Sequence, residues 1–147
     1  MRERVRATAP GALPQAEEAG PGRANLQRMP IVIVRSLRPA APQRIDDMLA
    51  GIVRELAGAL GDSPGDVWVY WEDVQAVRLG ERAVGFEGHC PLVTVRARAG
   101  RPQTQIAAGL AAVARAVCES LAIPLEDVWA HWEELPPGRV FAGGGLL

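Results

Sequence analysis

The chain says the same thing twice. Pro30-Ile31-Val32-Ile33-Val34-Arg35 recurs as Pro91-Leu92-Val93-Thr94-Val95-Arg96. Asp66-Val67-Trp68 recurs as Asp127-Val128-Trp129, and Trp71-Glu72 as Trp132-Glu133. All three matches have the same spacing of 61 residues. Whatever one copy folds into, the other must fold into as well. Each copy opens on a proline, and the first of these directly follows Met29. Translation from Met29 would leave Pro30 as a free amine, which is a base, whereas any residue retained before it makes Pro30 an amide.

Within each copy the pattern reads strand, helix, strand. Ile31 to Val34 is a short apolar run rich in β-branched residues. The polar, proline-punctuated turn Arg38-Pro39-Ala40-Ala41-Pro42 follows. Ile45, Met48, Leu49, Ile52, Val53, Leu56 and Leu60 then recur at steps of three and four, the apolar face of a helix. Gly61 and Pro64 stop that helix, and Val67 to Trp71 forms the closing strand. In the second copy Leu92 to Val95 is the opening strand and Pro102 marks a helix start. Ile106, Leu110, Val113, Val117 and Leu121 form its apolar stripe, Pro124 ends it, and Val128 to Trp132 closes the unit. Residues 74–90 connect the copies, with a small hairpin expected around Val84 to Phe86.

A strand–helix–strand unit is a right-handed crossover joining parallel strands. Two such units predict an α+β fold: a four-stranded sheet with two helices on one face. Ile31 to Val34 is apolar on both sides of the strand, the pattern of a strand covered on both faces. Two helices cover only one face, so the sequence points to an oligomer whose neighbours cover the other.

Composition narrows the rest. The 147 residues suffice for one domain with a core, and the net charge is −1. Residues 1–28 carry five arginines and three glutamates, so the remainder is acidic, which argues against nucleic acid as a partner. No apolar run approaches the roughly 20 residues of a membrane span. Every basic residue is arginine, which excludes Schiff-base chemistry on a lysine. Two cysteines, Cys90 and Cys118, are too few for a disulfide framework and fit a reducing, cytoplasmic setting. Residues 1–28, with three prolines, three glycines and almost no large apolar side chains, are expected to be a disordered leader or to precede the true start. Residues 29–147 form one domain: repeat one over 30–73, the connector over 74–90, and repeat two over 91–147.

A tandem of proline-initiated β-α-β units resembles the tautomerase superfamily. It is most similar to the fused, two-repeat members of the cis-3-chloroacrylic acid dehalogenase and malonate semialdehyde decarboxylase type, the single-repeat relative being 4-oxalocrotonate tautomerase. The resemblance runs from Pro30 to about Gly145. It rests on Pro30 after Met29, Gly100-Arg101 after the second opening strand, Pro64 and Pro124 before the closing strands, and Gly143-Gly144-Gly145. It implies a homotrimer that needs no cofactor and acts on a small carboxylate-bearing enol or 2-oxo acid. In the family the N-terminal proline nitrogen moves the proton. A free α-amine titrates near about 7.7–8.0, and an apolar pocket or nearby arginines lower that value toward the optimum for a base at neutral pH. The resemblance makes Pro30 the catalytic base. Arg101 and Arg98 become the carboxylate-binding pair, His131 matches a pocket tyrosine, and Phe141 or Val140 matches the apolar residue that closes the pocket. Trp132, Phe141 and Leu37 would form apolar walls. Two rivals share the framework: a non-catalytic trimer with a blocked Pro30 that binds small acids or is structural, and a β-keto acid decarboxylase.

Several family groups are missing. Ala40, with Arg38 nearby, stands where the single-repeat enzyme has a first-loop arginine, and Trp68 and Trp129 replace its closing-strand arginine. Ala57 stands where the dehalogenase has a histidine, and Arg139 to Gly143 holds no carboxylate to activate water. Haloacrylate hydration is therefore disfavoured, while keto–enol proton transfer needs fewer groups. His89, Cys90, Cys118 and His131 match no zinc spacing. Cys118 reads as a small core residue. Trp68 and Trp71 should point to opposite sides of their strand, and Glu72 and Glu133 read as rim charges.

Overall fold

The computed structural model describes residues 29–39, 41–83, 88–142 and 144–146. The expected disorder of residues 1–28, and the hairpin centred on Val84 to Phe86, lie outside them. In chain order the elements begin with β1 (Ile31–Ser36), α1 (Gln43–Leu60) and β2 (Trp68–Asp73). The connector holds β3 (Arg78–Leu79) and β4 (Arg82–Ala83), an antiparallel hairpin. The second unit is β5 (Leu92–Arg98), α2 (Gln103–Leu121) and β6 (Trp129–Leu135). A C-terminal hairpin pairs β7 (Phe141–Ala142) with β8 (Gly145–Leu146).

The architecture is the α+β arrangement expected from the repeat. The sheet order is β2-β1-β5-β6. Within each unit the strands are parallel, Ile31 beside Trp68 and Leu92 beside Trp129. Between units β1 and β5 run antiparallel, Ile31 opposite Arg96 and Arg35 opposite Leu92. The antiparallel seam has a direct consequence. The start of one unit lies beside the end of the other unit's opening strand, so Pro30 shares an end of the sheet with Arg98, and Pro91 shares the opposite end with Ser36.

Alternation along the strands separates core from outer face. Val32, Val34, Val93 and Val95 are fully buried beneath the helices, with Met48, Ile52, Leu56, Val113 and Val117. Trp71 and Trp132 pack on this side, while Trp68 and Trp129 are exposed on the other, as the three-residue spacing requires. The apolar helix stripes were legible in sequence. The helix contact itself is made by small residues that periodicity of large side chains does not mark: Gly109, Ala112 and Ala116 are buried on α2. A Cβ on Gly109 would stand 3.2 Å from the side-chain tips of Leu56 and Leu60. Ile45 and Cys118 are half-buried and outside the core cluster, so Cys118 is not the core residue the stripe suggested.

Helix ends set the loops. α1 stops at Gly61, whose φ of 68° lets its N–H and that of Asp62 both reach the Ala57 carbonyl. α2 stops in the same geometry at Ala122, φ 55°, where Cys118 accepts from Ala122 and Ile123. Among the described residues, no helix is long and apolar enough to cross a membrane.

Candidate functional site

A cavity of about 410 Å³ opens at the Pro30 end of the sheet, lined by Leu60, Asp62, Arg98, Ala99, Gly100, Arg101, Pro102 and Gln105. Its walls come from both copies: the C-terminal end of α1, the β5–α2 connection and the first turn of α2. Gly100 takes a φ of 104°, a conformation open to glycine, and turns the chain sharply between the two arginines. Its N–H donates to Glu134 Oε1 at 3.3 Å.

Arg101 is anchored in the wall of this cavity. Its Nη2 donates to Asp62 Oδ2 at 2.5 Å, and its Nη1 approaches Gln105 Oε1 at 3.5 Å. The Asp62 carboxylate is 3% exposed and the Arg101 side chain 14%. A buried carboxylate and guanidinium together are tolerable because each satisfies the other. Either alone would carry a heavy desolvation cost. Asp62 and Gln105 were not singled out from sequence, and Leu60 only as part of the helix stripe. The signal available was the position of Asp62 directly after the helix-ending Gly61, where the reversed chain turns its side chain toward the neighbouring unit.

Pro30 is fully buried at this same end, and its carbonyl accepts from Trp68 N–H at 3.0 Å. It lies outside the set of cavity-lining residues, and one step beyond the Ile31–Arg96 pair puts it beside Ala97. The structure therefore brings Pro30, Arg98 and Arg101 to one end of the molecule. It does not bring the other expected residues there within one chain. His131 pairs with Thr94 in the body of the sheet, on the face away from the helices, and its Nε2 stands 3.2 Å from Glu133 Oε1. Phe141 is 73% exposed on the C-terminal hairpin. Leu37 is buried just past the far end of β1, roughly 20 Å along the strand from Pro30, and Trp132 packs against the core.

Glu72 and Glu133, expected as rim charges, lie partly exposed on the two edge strands. They form cross-strand ion pairs with Arg35 and Arg96, at 2.5 and 2.6 Å, on the outer sheet face. Hydrogen bonds from Arg96 and His131 hold the Glu133 carboxyl below the usual carboxylate range. Arg38 is bound to Asp73 at the Pro91 end, and that contact together with the Trp71 indole N–H at 2.7 Å lowers the Asp73 carboxyl. Arg38 therefore does not serve the Pro30 end. Burial pushes the Cys118 thiol up, away from the reactive thiolate.

A second cavity of about 480 Å³ lies at the Pro91 end, lined mainly by apolar groups including Val74, Leu79, Pro91, Val128 and Trp129. Pro91 nitrogen is bonded to Cys90, so the proline supplies no amine base there, and the charged groups of this cavity are Arg35, Glu126 and Asp127. Among the described residues no group of three or more His, Cys, Asp or Glu side chains is placed to hold a metal ion.

No family model matches the chain, and no curated protein is similar to it in sequence. The fold, in contrast, has well-matched solved counterparts. A fused 4-OT solved as an asymmetric trimer superposes with a TM-score of 0.71 at 19% identity, covering 79% of this chain and 94% of its own. Pt0534 inactivated by 2-oxo-3-pentynoate gives 0.73 at 16% identity with the same coverage. The macrophage migration inhibitory factor of Toxoplasma gondii gives 0.68 at 19% identity, covering 80% of this chain and 99% of its own. The doubled β-α-β framework, its antiparallel seam and these likenesses agree: the chain has the tautomerase fold in its fused, two-repeat form.

Proposed function

We propose that the chain is a tautomerase-like isomerase that moves a proton between oxygen and carbon of a small carboxylate-bearing enol or 2-oxo acid. The observation that carries this reading is the antiparallel seam, which sets Pro30 at the end of the sheet where Arg98 and Arg101 line a cavity. Support comes also from a protein of the same fold that is inactivated by 2-oxo-3-pentynoate, itself a 2-oxo carboxylate. In the ketonisation direction the Pro30 amine accepts the enol proton and a proton is delivered to the neighbouring carbon. One O–H bond breaks, one C–H bond forms, and no electrons leave the substrate. The arginines grip the carboxylate and stabilise the negative charge that builds on the enolate oxygen.

The chemistry requires a free amine on Pro30, so it belongs to a form that begins there. The protein is further proposed to act as a homotrimer, on the strength of the apolar side chains exposed on the outer sheet face, Trp68, Tyr70, Leu92 and Trp129, and of the trimeric fused 4-OT. A second reading, a non-catalytic trimer, is favoured by one fact. With Met29 attached, Pro30 nitrogen is an amide and the residue is fully buried.

The test is to prepare the chain starting at Pro30 and at Met1, and to measure ketonisation of phenylenolpyruvate and 2-hydroxymuconate. Activity in the short form, lost in Pro30→Ala, supports the isomerase. Equal activity in both forms, or none in the short form, rejects it. Intact-mass measurement on the native protein then identifies which form exists.

A further inference from the structure

The duplication supplies an internal control for the cavity. Stepping back 61 residues from Arg98 and Arg101 gives Leu37 and Ala40, and stepping forward 61 from Asp62 gives Ile123. In sequence, the duplicate positions are thus all apolar, where the Pro30 end carries two arginines and an aspartate. On the outer sheet face the two copies keep two ion pairs in step, Arg35 with Arg96 and Glu72 with Glu133, whereas the helices do not, Asp46, Asp47 and Glu55 meeting Ala107, Ala108 and Ala116. The acid and the arginine it binds are both without a counterpart at the duplicate positions, the Arg38–Asp73 pair of the Pro91 end being built from other positions.

That pairing is costly as a structural device. An apolar solution to the same helix end exists in the second copy, where Ile123 follows Ala122 in the same backbone turn. Replacing a buried ion pair by well-packed apolar groups is commonly neutral or stabilising. Burial of Asp62 to 3% exposure is therefore not required to close the loop. What Asp62 does achieve is geometric. It grips one terminal nitrogen of the guanidinium from the end of α1, while Gln105 approaches the other from the first turn of α2. The long, flexible arginine is thereby fixed in the wall of the cavity before any anion arrives, which removes an ordering cost from binding.

Resting on the assignment of Arg101 as a carboxylate-binding residue, we propose that Asp62 is its positioning residue: a buried carboxylate that fixes the Arg101 fork toward the cavity so that it can receive the carboxylate of a small 2-oxo acid.

The test uses the chain beginning at Pro30 and the variants Asp62→Asn, Asp62→Ala and Arg101→Leu. Pyruvate affinity is measured by calorimetry, and ketonisation of phenylenolpyruvate is compared with that of its methyl ester. Asp62→Asn should weaken pyruvate binding roughly tenfold or more and raise KM for the acid by a similar factor. Its KM for the ester should stay within about twofold of wild type, and kcat/KM should fall more for the acid than for the ester, a split that general loosening of the fold would not give. Asp62→Ala added to Arg101→Leu should cost little beyond Arg101→Leu alone, because the two act as one unit. Unchanged pyruvate affinity in Asp62→Asn overturns the proposal. So does tighter binding, which would make Asp62 a competitor of the substrate. A short form that ketonises nothing, yet loses pyruvate affinity in Asp62→Asn, supports the positioning role and rejects only the proton transfer. Absence of pyruvate binding in the wild-type chain overturns both.

Discussion

Arg96 Nε lies 2.6 Å from Glu133 Oε2 on the sheet face turned away from both helices, and 61 residues earlier Arg35 Nε and Glu72 Oε2 stand 2.5 Å apart in the same arrangement. Each pair is in cross-strand register. The ladder of each unit therefore sets a charge pair toward one edge of a face that also exposes Trp68, Tyr70, Leu92 and Trp129. A face of this kind suits a partner with matching polar groups, since an interface combines apolar contact with satisfied charges.

Acid should weaken the fold through these carboxylates. Glu133 and Asp73 are both held below the ordinary carboxylate range in the folded chain. A depressed folded value means stability that is complete above the unfolded value and is lost as pH falls through the folded one. The loss should begin near about pH 4.3, the ordinary glutamate value, and continue below it. Urea midpoints measured from pH 6 to pH 2.5 should fall in this window, and fall less steeply in Glu133→Gln/Asp73→Asn. An identical slope in that variant would rule out these two groups as the source.

The outer face makes a second prediction. Ile33 is half-buried at its centre, between Tyr70 and Thr94. Sedimentation of the wild type at micromolar concentration should give a trimer, and Ile33→Glu should shift it toward monomer, because a charge buried in an apolar interface lacks a partner. A wild type that sediments as a monomer would remove the assembly from the proposal.

The repeat made the fold legible because strands and helices announce themselves locally. Ile31 to Val34 and the α1 stripe needed nothing beyond periodicity. The site was legible only where a motif carried it, at Pro30, Arg98 and Arg101. Asp62 escaped because its role arises from a contact with a residue 39 positions away, which one helix end cannot reveal. Gly109 and Ala116 escaped because small residues carry no weight in an apolar pattern, although close approach of α1 and α2 depends on them. His131 and Phe141 were placed by resemblance alone. Within one chain they lie on the outer face and on an exposed hairpin, apart from the cavity that Arg98 and Arg101 line.

The two helix ends predict opposite responses to inverse exchanges of glycine and alanine. Gly61 and Ala122 occupy equivalent left-handed positions, and Ala122 is exposed. An alanine there strains against its own Cβ by about 1–2 kcal/mol, of which glycine's extra unfolded-state entropy returns roughly 0.5–1 kcal/mol. Ala122→Gly should therefore stabilise the chain by about 0.5–1 kcal/mol, and Gly61→Ala should destabilise it by a similar amount. Chemical denaturation of both variants checks this, and a loss of stability in Ala122→Gly would contradict the strain argument.

Arg101→Lys separates the charge of this side chain from its shape. Lysine keeps a positive charge that can still pair with Asp62, so the folded chain should lose little stability. It presents a point charge in place of the planar fork, and so cannot hold Asp62 and a substrate carboxylate in two fixed directions at once. A hydrogen bond to a charged group contributes about 1.5–3 kcal/mol. The Pro30-initiated Arg101→Lys chain should accordingly lose about ten- to a hundredfold in kcat/KM for phenylenolpyruvate, mostly through KM. Arg38→Lys, altered in an ion pair at the opposite end of the sheet, should leave kcat/KM within about twofold. Equal effects from the two substitutions would mean that Arg101 acts only through the general field of the protein, and the proposed carboxylate grip would have to be abandoned.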